Sequence, residues 1–194
     1  MQRRKLLFKS AALLGVTALA ISGCTTTSPM SGADKSTKRQ EIDTSVNSTL
    51  SRLSSTIPGS NELVNKARGV LVFPSVLAAG LGVGGEYGEG ALRIDNQTVD
   101  YYSTATASIG LQIGAQSKAV IFLFMTQEAL DKFRSSQGWT AGIDASVALI
   151  KAGANGDIDL NTATQPVSVF VMTNQGLMAN LTVEGTKITK LKSQ

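Results

Sequence analysis

The side chains of this chain that are capable of chemistry are carboxylates, hydroxyls, lysines and a single cysteine. The 194 residues contain no histidine, the side chain that most often serves as a general base or a metal ligand. The cysteine is Cys24. With this inventory, a catalytic site within the chain would have to be built from paired carboxylates or from lysine, because zinc sites and histidine-assisted nucleophiles lack their ligands and bases.

A glycine motif at Gly80–Gly85 satisfies the G-x-G-x-x-G pattern of dinucleotide-binding folds. In those folds a helix begins at the motif, so that its N-terminus faces the pyrophosphate. Here the motif is followed by Glu86–Gly90, a segment that is a poor helix former and that places acidic groups where a phosphate would lie. Glycines that alternate along a strand are typical of bulges, sharp bends or the close approach of another backbone or a ligand. We therefore predict a glycine-rich strand and no dinucleotide site.

Two acidic motifs are weaker evidence for a functional site than the glycine motif. Residues 157–161 begin like a calcium loop, but Thr162 stands where the loop needs glycine and Ser168 stands where it needs glutamate. Glu86 and Glu89 form a carboxylate pair with no proton donor or nucleophile beside them. The favoured interpretation is therefore exposed charge in a tight hairpin. We therefore predict no catalytic residue, no metal site and no cofactor, and a function other than that of an enzyme.

Cys24 follows a segment with the pattern of a secretory signal peptide. Residues 1–23 combine a basic start with the apolar run Ala11–Ile21, and small residues precede the cysteine. The apolar run is shorter than the roughly 20 residues that a membrane-spanning helix needs. The order of residues ending at Cys24 resembles the lipobox of bacterial lipoproteins, which implies cleavage before Cys24, a diacylglycerol on its sulfur and an acyl chain on its amine.

Two further expectations follow from this leader. Thr25 stands where aspartate occurs in the sorting signals of enteric-type bacteria, and this resemblance favours the outer membrane, on its periplasmic or its outer face. Residues 2–7 resemble a twin-arginine signal, although an ordinary secretory leader is favoured for a domain without a cofactor.

The net charge of the chain is misleading about its partners. The chain carries 18 basic and 14 acidic side chains, a formal net charge of +4, and four of the basic residues lie in the segment 1–23. The remaining chain is therefore neutral. A basic surface is the usual sign of nucleic-acid binding. Because the excess charge here belongs to the leader, we expect no nucleic-acid partner.

The charge that remains is unevenly distributed. Residues 31–68 carry six basic and four acidic groups, residues 69–184 carry five and ten, and residues 185–194 carry three lysines and no acid. Positive ends beside a lipid anchor suit an anionic membrane surface, at about 1 kcal/mol for each well-placed Lys or Arg. Charge that merely keeps the domain solvated explains the distribution equally well.

Two helices are predicted near the start of the mature chain. Residues 24–38 are rich in threonine, serine, glycine and proline and predict a flexible tether. Apolar residues then recur at helical spacing over residues 42–57. The Pro-Gly pair at 58–59 predicts the end of that helix, and Ser60 predicts the N-cap of a second, short helix. The first helix either lies on a membrane or packs one apolar stripe on the domain core, and the second arrangement is the commoner one.

Beyond these helices the periodicity predicts strands. Val70–Phe73 is an apolar run that Pro74 ends, residues 95–96 predict a turn, and residues 99–113 predict a long extended segment. Ala119–Met125 is apolar on both faces, which predicts a central strand covered on both sides.

The remaining residues predict one inserted helix and four more strands. Thr126 predicts the helix N-cap, with Glu128 near the start of the helix and Lys132 and Arg134 near its end, as the helix dipole favours. The strands are predicted over Trp139–Ile150, Pro166–Thr173, Leu177–Val183 and Thr186–Leu191. Seven or eight strands with three helices predict an α+β fold that has a mainly antiparallel sheet and a barrel-like core.

Several of these segments together resemble the SYLF domain. They cover nearly all of residues 40–191, and we assign residues 39–194 to one such domain. The matching segments are Lys66–Pro74, the glycine stretch Gly80–Gly90, Tyr101–Ser103, Ile109–Gln116, Phe124–Leu130, Gly138–Trp139 and Gly176–Met178. The chain is most similar to the bacterial SYLF lipoproteins, small envelope proteins that include serological antigens.

The resemblance implies lipid binding. Eukaryotic SYLF proteins bind phosphoinositides through a basic or amphipathic N-terminal part, and fungal members also bind actin. Carried over to the matching region of this chain, the resemblance implies Lys35, Lys38, Arg39 and Arg52 as contacts for the headgroups of anionic phospholipids. Actin is not expected as a partner of a periplasmic domain. The alternative is a structural or protein-interaction lipoprotein with no lipid affinity beyond its own acyl anchor.

Overall fold

The computed structural model describes residues 32–110, 116–151, 158, 165–173, 176–178 and 183–192. Residues Ser31–Gln194 form one compact unit. Cys24, the predicted signal peptide and, apart from Ile158, the acidic motif at 157–161 lie outside the described residues. Within the described part of the chain, no helix is long and apolar enough to cross a membrane.

The described residues form three helices at the predicted places in the chain. They are α1 Gly32–Thr56, α2 Ser60–Lys66 and α3 Gln127–Ser135. As predicted, α1 ends before the Pro-Gly pair, where Gly59 takes a φ of 80°, and Thr126 caps α3 by accepting a hydrogen bond from the backbone N–H of Ala129 at 3.2 Å.

Both N-terminal helices differ from the prediction at their starts. Residues 32–38 belong to α1 where a tether was predicted, and the hydroxyls of Ser36 and Thr37 are hydrogen-bonded within the helix, to the Ala33 carbonyl. Ser60 is the first residue of α2 and not its cap. Its buried hydroxyl donates to the carbonyl of Ile57 at 2.7 Å, so it joins the two helices.

Within the described ranges, eight strands form one curled, mixed sheet that resembles half of a barrel, which confirms the α+β class. The order across the sheet is β4-β8-β2-β1-β3-β6-β5, with β7 paired to β6. Only β5 and β6 pair in parallel among the described strands. The bounds are β1 Gly69–Ile94, β2 Gln97–Gly110, β3 Gln116–Phe124, β4 Trp139–Thr140, β5 Val147–Leu149, β6 Val167–Thr173, β7 Gly176–Leu177 and β8 Lys187–Lys190.

The sheet has an apolar core on each face. α1 and α2 cover one face with the buried side chains of Val46, Leu53 and Leu63. α3 covers the other face with Leu130 and Phe133. The sheet therefore lies between two helical layers, and a strand in its middle needs apolar residues at successive positions.

β3 is that strand, as predicted. It pairs with β1 on one side and with β6 on the other. Ile121 and Leu123 belong to the core beneath α1, whereas Phe122 and Phe124 belong to the core beneath α3, and all four are fully buried.

β1 does not end at Pro74, so that prediction was wrong. The strand continues to Ile94, and its pairing with β3 shifts register between Phe73 and Val76. Proline has no N–H to give to a ladder, but a β-bulge leaves one residue unpaired, so Pro74 is accommodated there.

The second half of β1 crosses over its own first half. A Cβ added at Gly90 would lie 2.0 Å from the carbonyl oxygen of Val72, and one added at Gly88 would lie 2.8 Å from that of Ser75. Of the alternatives that the alternating glycines left open, the structure shows the close approach of a backbone, and this backbone is that of the same strand. Gly80–Gly85 lie inside β1, as predicted, and not at the start of a helix.

The segment Trp139–Ile150 is not one strand, contrary to the prediction. β4 ends at Thr140, and a tight turn precedes β5. In this turn Gly142 takes a φ of 80°, and the carboxylate of Asp144 accepts a hydrogen bond from the Thr140 N–H at 2.6 Å. The alternating pattern of apolar residues runs through this turn, so periodicity alone did not reveal it.

We expect Gly90→Ala to lower the free energy of unfolding by about 1–3 kcal/mol, the usual cost of overpacking, because the new methyl group would meet the Val72 carbonyl. Urea unfolding followed by circular dichroism measures the change. Gly85→Ala is the matched control, since its Cβ would lie 3.7 Å from the nearest atom, the Thr106 carbonyl oxygen. Equal stability of the two variants would contradict the self-crossing of β1.

Candidate functional site

Asp43 connects α1 to the sheet. Its two carboxylate oxygens accept hydrogen bonds from the hydroxyls of Thr98 and Tyr101, each at 2.7 Å. Side chains three positions apart on a regular strand point to opposite faces. Here the pairing of β1 with β2 shifts between Leu92 and Arg93, and the bulge brings Thr98 and Tyr101 to the same face. The irregularity in the sheet therefore creates the attachment point for α1.

Tyr101 is held as a neutral hydrogen-bond donor. Burial raises the pKa of its phenol to about 12, and the hydrogen bond to Asp43 and the charge of that carboxylate act in the same direction. The guanidinium of Arg39, which lies 5.2 Å from the centre of the Tyr101 ring, opposes the shift, and so does that of Arg93. The phenol therefore keeps its proton throughout the neutral pH range.

The four predicted headgroup residues all lie on α1, and the structure engages them within the chain. Lys38 forms an ion pair with Glu89 at 2.7 Å, with 44% of the Lys38 side chain still exposed. Arg39 stacks on Tyr101. Lys35 and Arg52 are half-buried and also interact within the chain. Their role in headgroup binding stays a prediction.

A groove of about 230 Å³ lies where α1, α2 and the β1–β2 hairpin meet. Its apolar wall comes from α1, α2, the residue after α2 and the start of β1, namely Leu50, Val64, Ala67 and Val70. Its polar wall comes from the end of α2 and from the hairpin, namely Asn65, Arg68, Arg93, Asp95 and Asn96. The groove therefore brings two guanidinium groups and two amides beside an apolar surface.

Local structure explains how the polar wall is placed. Arg68 connects α2 to β1, where its backbone N–H donates to the Phe124 carbonyl at 2.8 Å. Asp95 and Asn96 form the two-residue turn that the sequence predicted, with φ of 49° and 65°. Sequence reasoning missed Arg93 as a site residue. The sole sequence signal for Arg93 as a site residue was that a charged side chain stands next to that turn.

Arg93 has an unused donor in this wall. Its Nε is buried and has no hydrogen-bond partner among the described residues. Arg68 is exposed, and no ion pair of its guanidinium occurs in the described ranges. Guanidinium groups match the geometry of phosphate and carboxylate oxygens with paired N–H donors. The groove is therefore suited to an anion.

The carboxylates of the glycine stretch are not exposed, contrary to the prediction. Glu86 pairs with Lys118 at 2.7 Å, and Glu89 pairs with Lys38 at the same distance, with 17% and 18% of the glutamate side chains exposed. They point to opposite faces of β1, where the curled sheet and α1 bring a lysine to each. The described residues contain no group of three acidic, cysteine or histidine side chains placed to hold a metal ion.

Comparison with protein families gives a match over the second half of the chain. Residues 105–194, from the middle of β2 onward, match the family model described as Ysc84, Las17-binding protein actin regulator, which is the SYLF family. That description is of a binding protein and not of an enzyme. No curated protein matches the chain.

We expect Asp43→Ala to lower the free energy of unfolding by about 1–3 kcal/mol, because it leaves two half-buried hydroxyls without their charged acceptor. Glu41→Ala removes an exposed carboxylate from the same helix and is expected to change stability by less than about 0.5 kcal/mol. Urea unfolding at neutral pH compares them. A similar loss in both variants would show that Asp43 does not anchor α1.

Proposed function

Because the chain is a SYLF-domain protein, we propose that its domain binds the surface of anionic phospholipid membranes and performs no catalysis. We further propose that acylation of Cys24 anchors it in the outer membrane, where the domain faces the periplasm or the cell surface. Actin is not among the partners that we propose for a protein of the cell envelope. The observation that carries the proposal is the start of α1, where basic side chains lie close in sequence to Cys24.

The length of chain between Cys24 and α1 supports this arrangement. Gly32, the first residue of α1, is eight residues after Cys24. An extended chain spans at most about 3.6 Å per residue. An acylated Cys24 would therefore keep the start of α1 within roughly 30 Å of the lipid surface. The predicted tether of 24–38 would have allowed about twice that reach.

Within this reach lie Lys35, Lys38 and Arg39, all in the first three turns of α1. Each Lys or Arg beside an anionic membrane contributes about 1 kcal/mol. The ion pair of Lys38 with Glu89 is partly exposed, so water screens it, and lipid phosphates can compete for the lysine. Three such contacts give a weak affinity that vesicle sedimentation at low salt detects, and the anchor raises it by holding the domain near the membrane.

The first test is vesicle binding by the compact unit Ser31–Gln194, without the anchor. We expect it to sediment with vesicles of phosphatidylglycerol in phosphatidylcholine at low salt and to be released at 0.5 M salt, since the Debye length then falls below about 5 Å. The triple variant Lys35→Ala, Lys38→Ala and Arg39→Ala is expected to lose roughly ten- to a hundredfold in affinity.

The matched control removes three cations far from α1 in sequence, with Lys132→Ala, Arg134→Ala and Lys151→Ala, and is expected to bind nearly as well as the parent chain. If the two triple variants lose affinity equally, only net charge matters and α1 is not the contact surface. If the parent unit stays in the supernatant at low salt, the alternative of a protein-interaction lipoprotein replaces the lipid-binding proposal.

The anchor is tested separately with Cys24→Ser in the full chain expressed in a Gram-negative host. The parent protein is expected to incorporate radiolabelled palmitate and to fractionate with the outer membrane, whereas the variant does neither, because serine lacks the thiol that carries the diacylglycerol. Palmitate labelling of the Cys24→Ser variant, or an unlabelled parent protein, would contradict the lipoprotein assignment.

A further inference from the structure

The groove between α1, α2 and the β1–β2 hairpin combines three features that suit one class of ligand. Its polar wall carries two arginines and one aspartate, so it is net positive. Asn65 and Asn96 add neutral amide donors. Val70 and Val64 give it an apolar wall, which suits the carbon part of an organic anion.

Arg93 lines the groove together with Arg68. Its Nε is buried and has no hydrogen-bond partner among the described residues. Arg93 lies in β1 opposite the bulge at Val99 of β2, and the hairpin turn places Asp95 and Asn96 beside it. The donor is therefore held by the sheet and not by a flexible loop.

Size limits the ligand further. Pockets for drug-sized molecules have roughly 300–1,000 Å³, and one water occupies about 30 Å³. A groove of about 230 Å³ therefore holds a small ester such as glycerol phosphate, but not the acyl chains of a lipid. Paired guanidinium groups favour phosphate oxygens because each can donate two parallel hydrogen bonds.

We propose that this groove binds a phosphate ester, with Arg68 and Arg93 contacting the phosphate oxygens and the apolar wall contacting the ester carbons. This inference deepens the proposed membrane function and rests on it for one point, that the ester is the headgroup of a phospholipid. A free phosphate ester has the same chemistry and would use the same residues.

The site is tested by calorimetric titration of the unit Ser31–Gln194 with inorganic phosphate and with sn-glycerol 3-phosphate. We expect glycerol phosphate to bind more tightly than inorganic phosphate, because the apolar wall contacts its carbons. Arg68→Ala is expected to weaken binding about tenfold, the usual effect of losing a charge-assisted hydrogen bond. Arg93→Lys keeps the charge but loses the paired donors, so it is expected to weaken binding similarly.

Two further variants keep the test independent of folding defects. Lys66→Ala removes an exposed cation two residues before Arg68 that pairs with Glu62 and does not line the groove, and it is expected to change affinity less than twofold. Asp95→Asn removes the carboxylate of the groove but suits the same turn, and it is expected to tighten binding several-fold. Equal losses with Lys66→Ala and Arg68→Ala, or no binding of either phosphate probe, would overturn the proposal.

Vesicles of phosphatidylglycerol in phosphatidylcholine then distinguish the sources of the ester. If Arg68→Ala weakens vesicle binding and glycerol phosphate competes with the vesicles, the ligand is a lipid headgroup. If Arg68→Ala no longer binds glycerol phosphate but binds vesicles like the parent unit, the assignment of the ligand as a lipid headgroup is overturned. The groove then binds a free phosphate ester. If the parent unit binds glycerol phosphate but no vesicles, the proposed membrane binding is contradicted and the proposed phosphate-ester site in the groove is supported.

Discussion

The contact on which the rest of this structure depends is that of β1 with its own backbone. Gly88 and Gly90 lie against the carbonyls of Ser75 and Val72, closer than any side chain permits. Because the strand crosses itself there, its first half pairs with β3 and its second half pairs with β2, and one strand turns the sheet into half a barrel. Both apolar cores and the positions of all three helices follow from that curvature.

The second constraint is the attachment of α1 to the curled sheet. The carboxylate of Asp43 holds two hydroxyls that a bulge in β2 brings to one face, and Lys38 reaches Glu89 on the neighbouring strand. These contacts make α1 a fixed outer layer of the domain and not a free amphipathic helix. They also engage Lys38 and Arg39 within the chain, so lipid phosphates would have to compete with Glu89 and Tyr101 for these cations.

Local signals in the sequence predicted the elements that local physics controls. The apolar spacing of α1, the cap at Thr126, the turn at 95–96 and the two-sided strand predicted over Ala119–Met125, observed as β3, were each correct, because the residues that produce them are neighbours in the chain. The prediction at Pro74 failed because a distant segment decided the outcome. Pro74 was read as a strand end, but β3 continues the pairing beyond it through a bulge.

The sequence by itself determined the α+β class, the order of the elements and the resemblance to the SYLF family, since periodicity, turn chemistry and motif content are properties of the chain alone. It also indicated that the glycine stretch forms a bulge, a sharp bend or a close approach of a backbone or a ligand, since these are the features that alternating glycines allow. Only the tertiary structure decided that this backbone is β1 itself, that Glu86 and Glu89 are paired, and that Arg68 and Arg93 line one groove. Those relations join residues from 13 to 51 positions apart in sequence, through contacts that exist only once the sheet has curled.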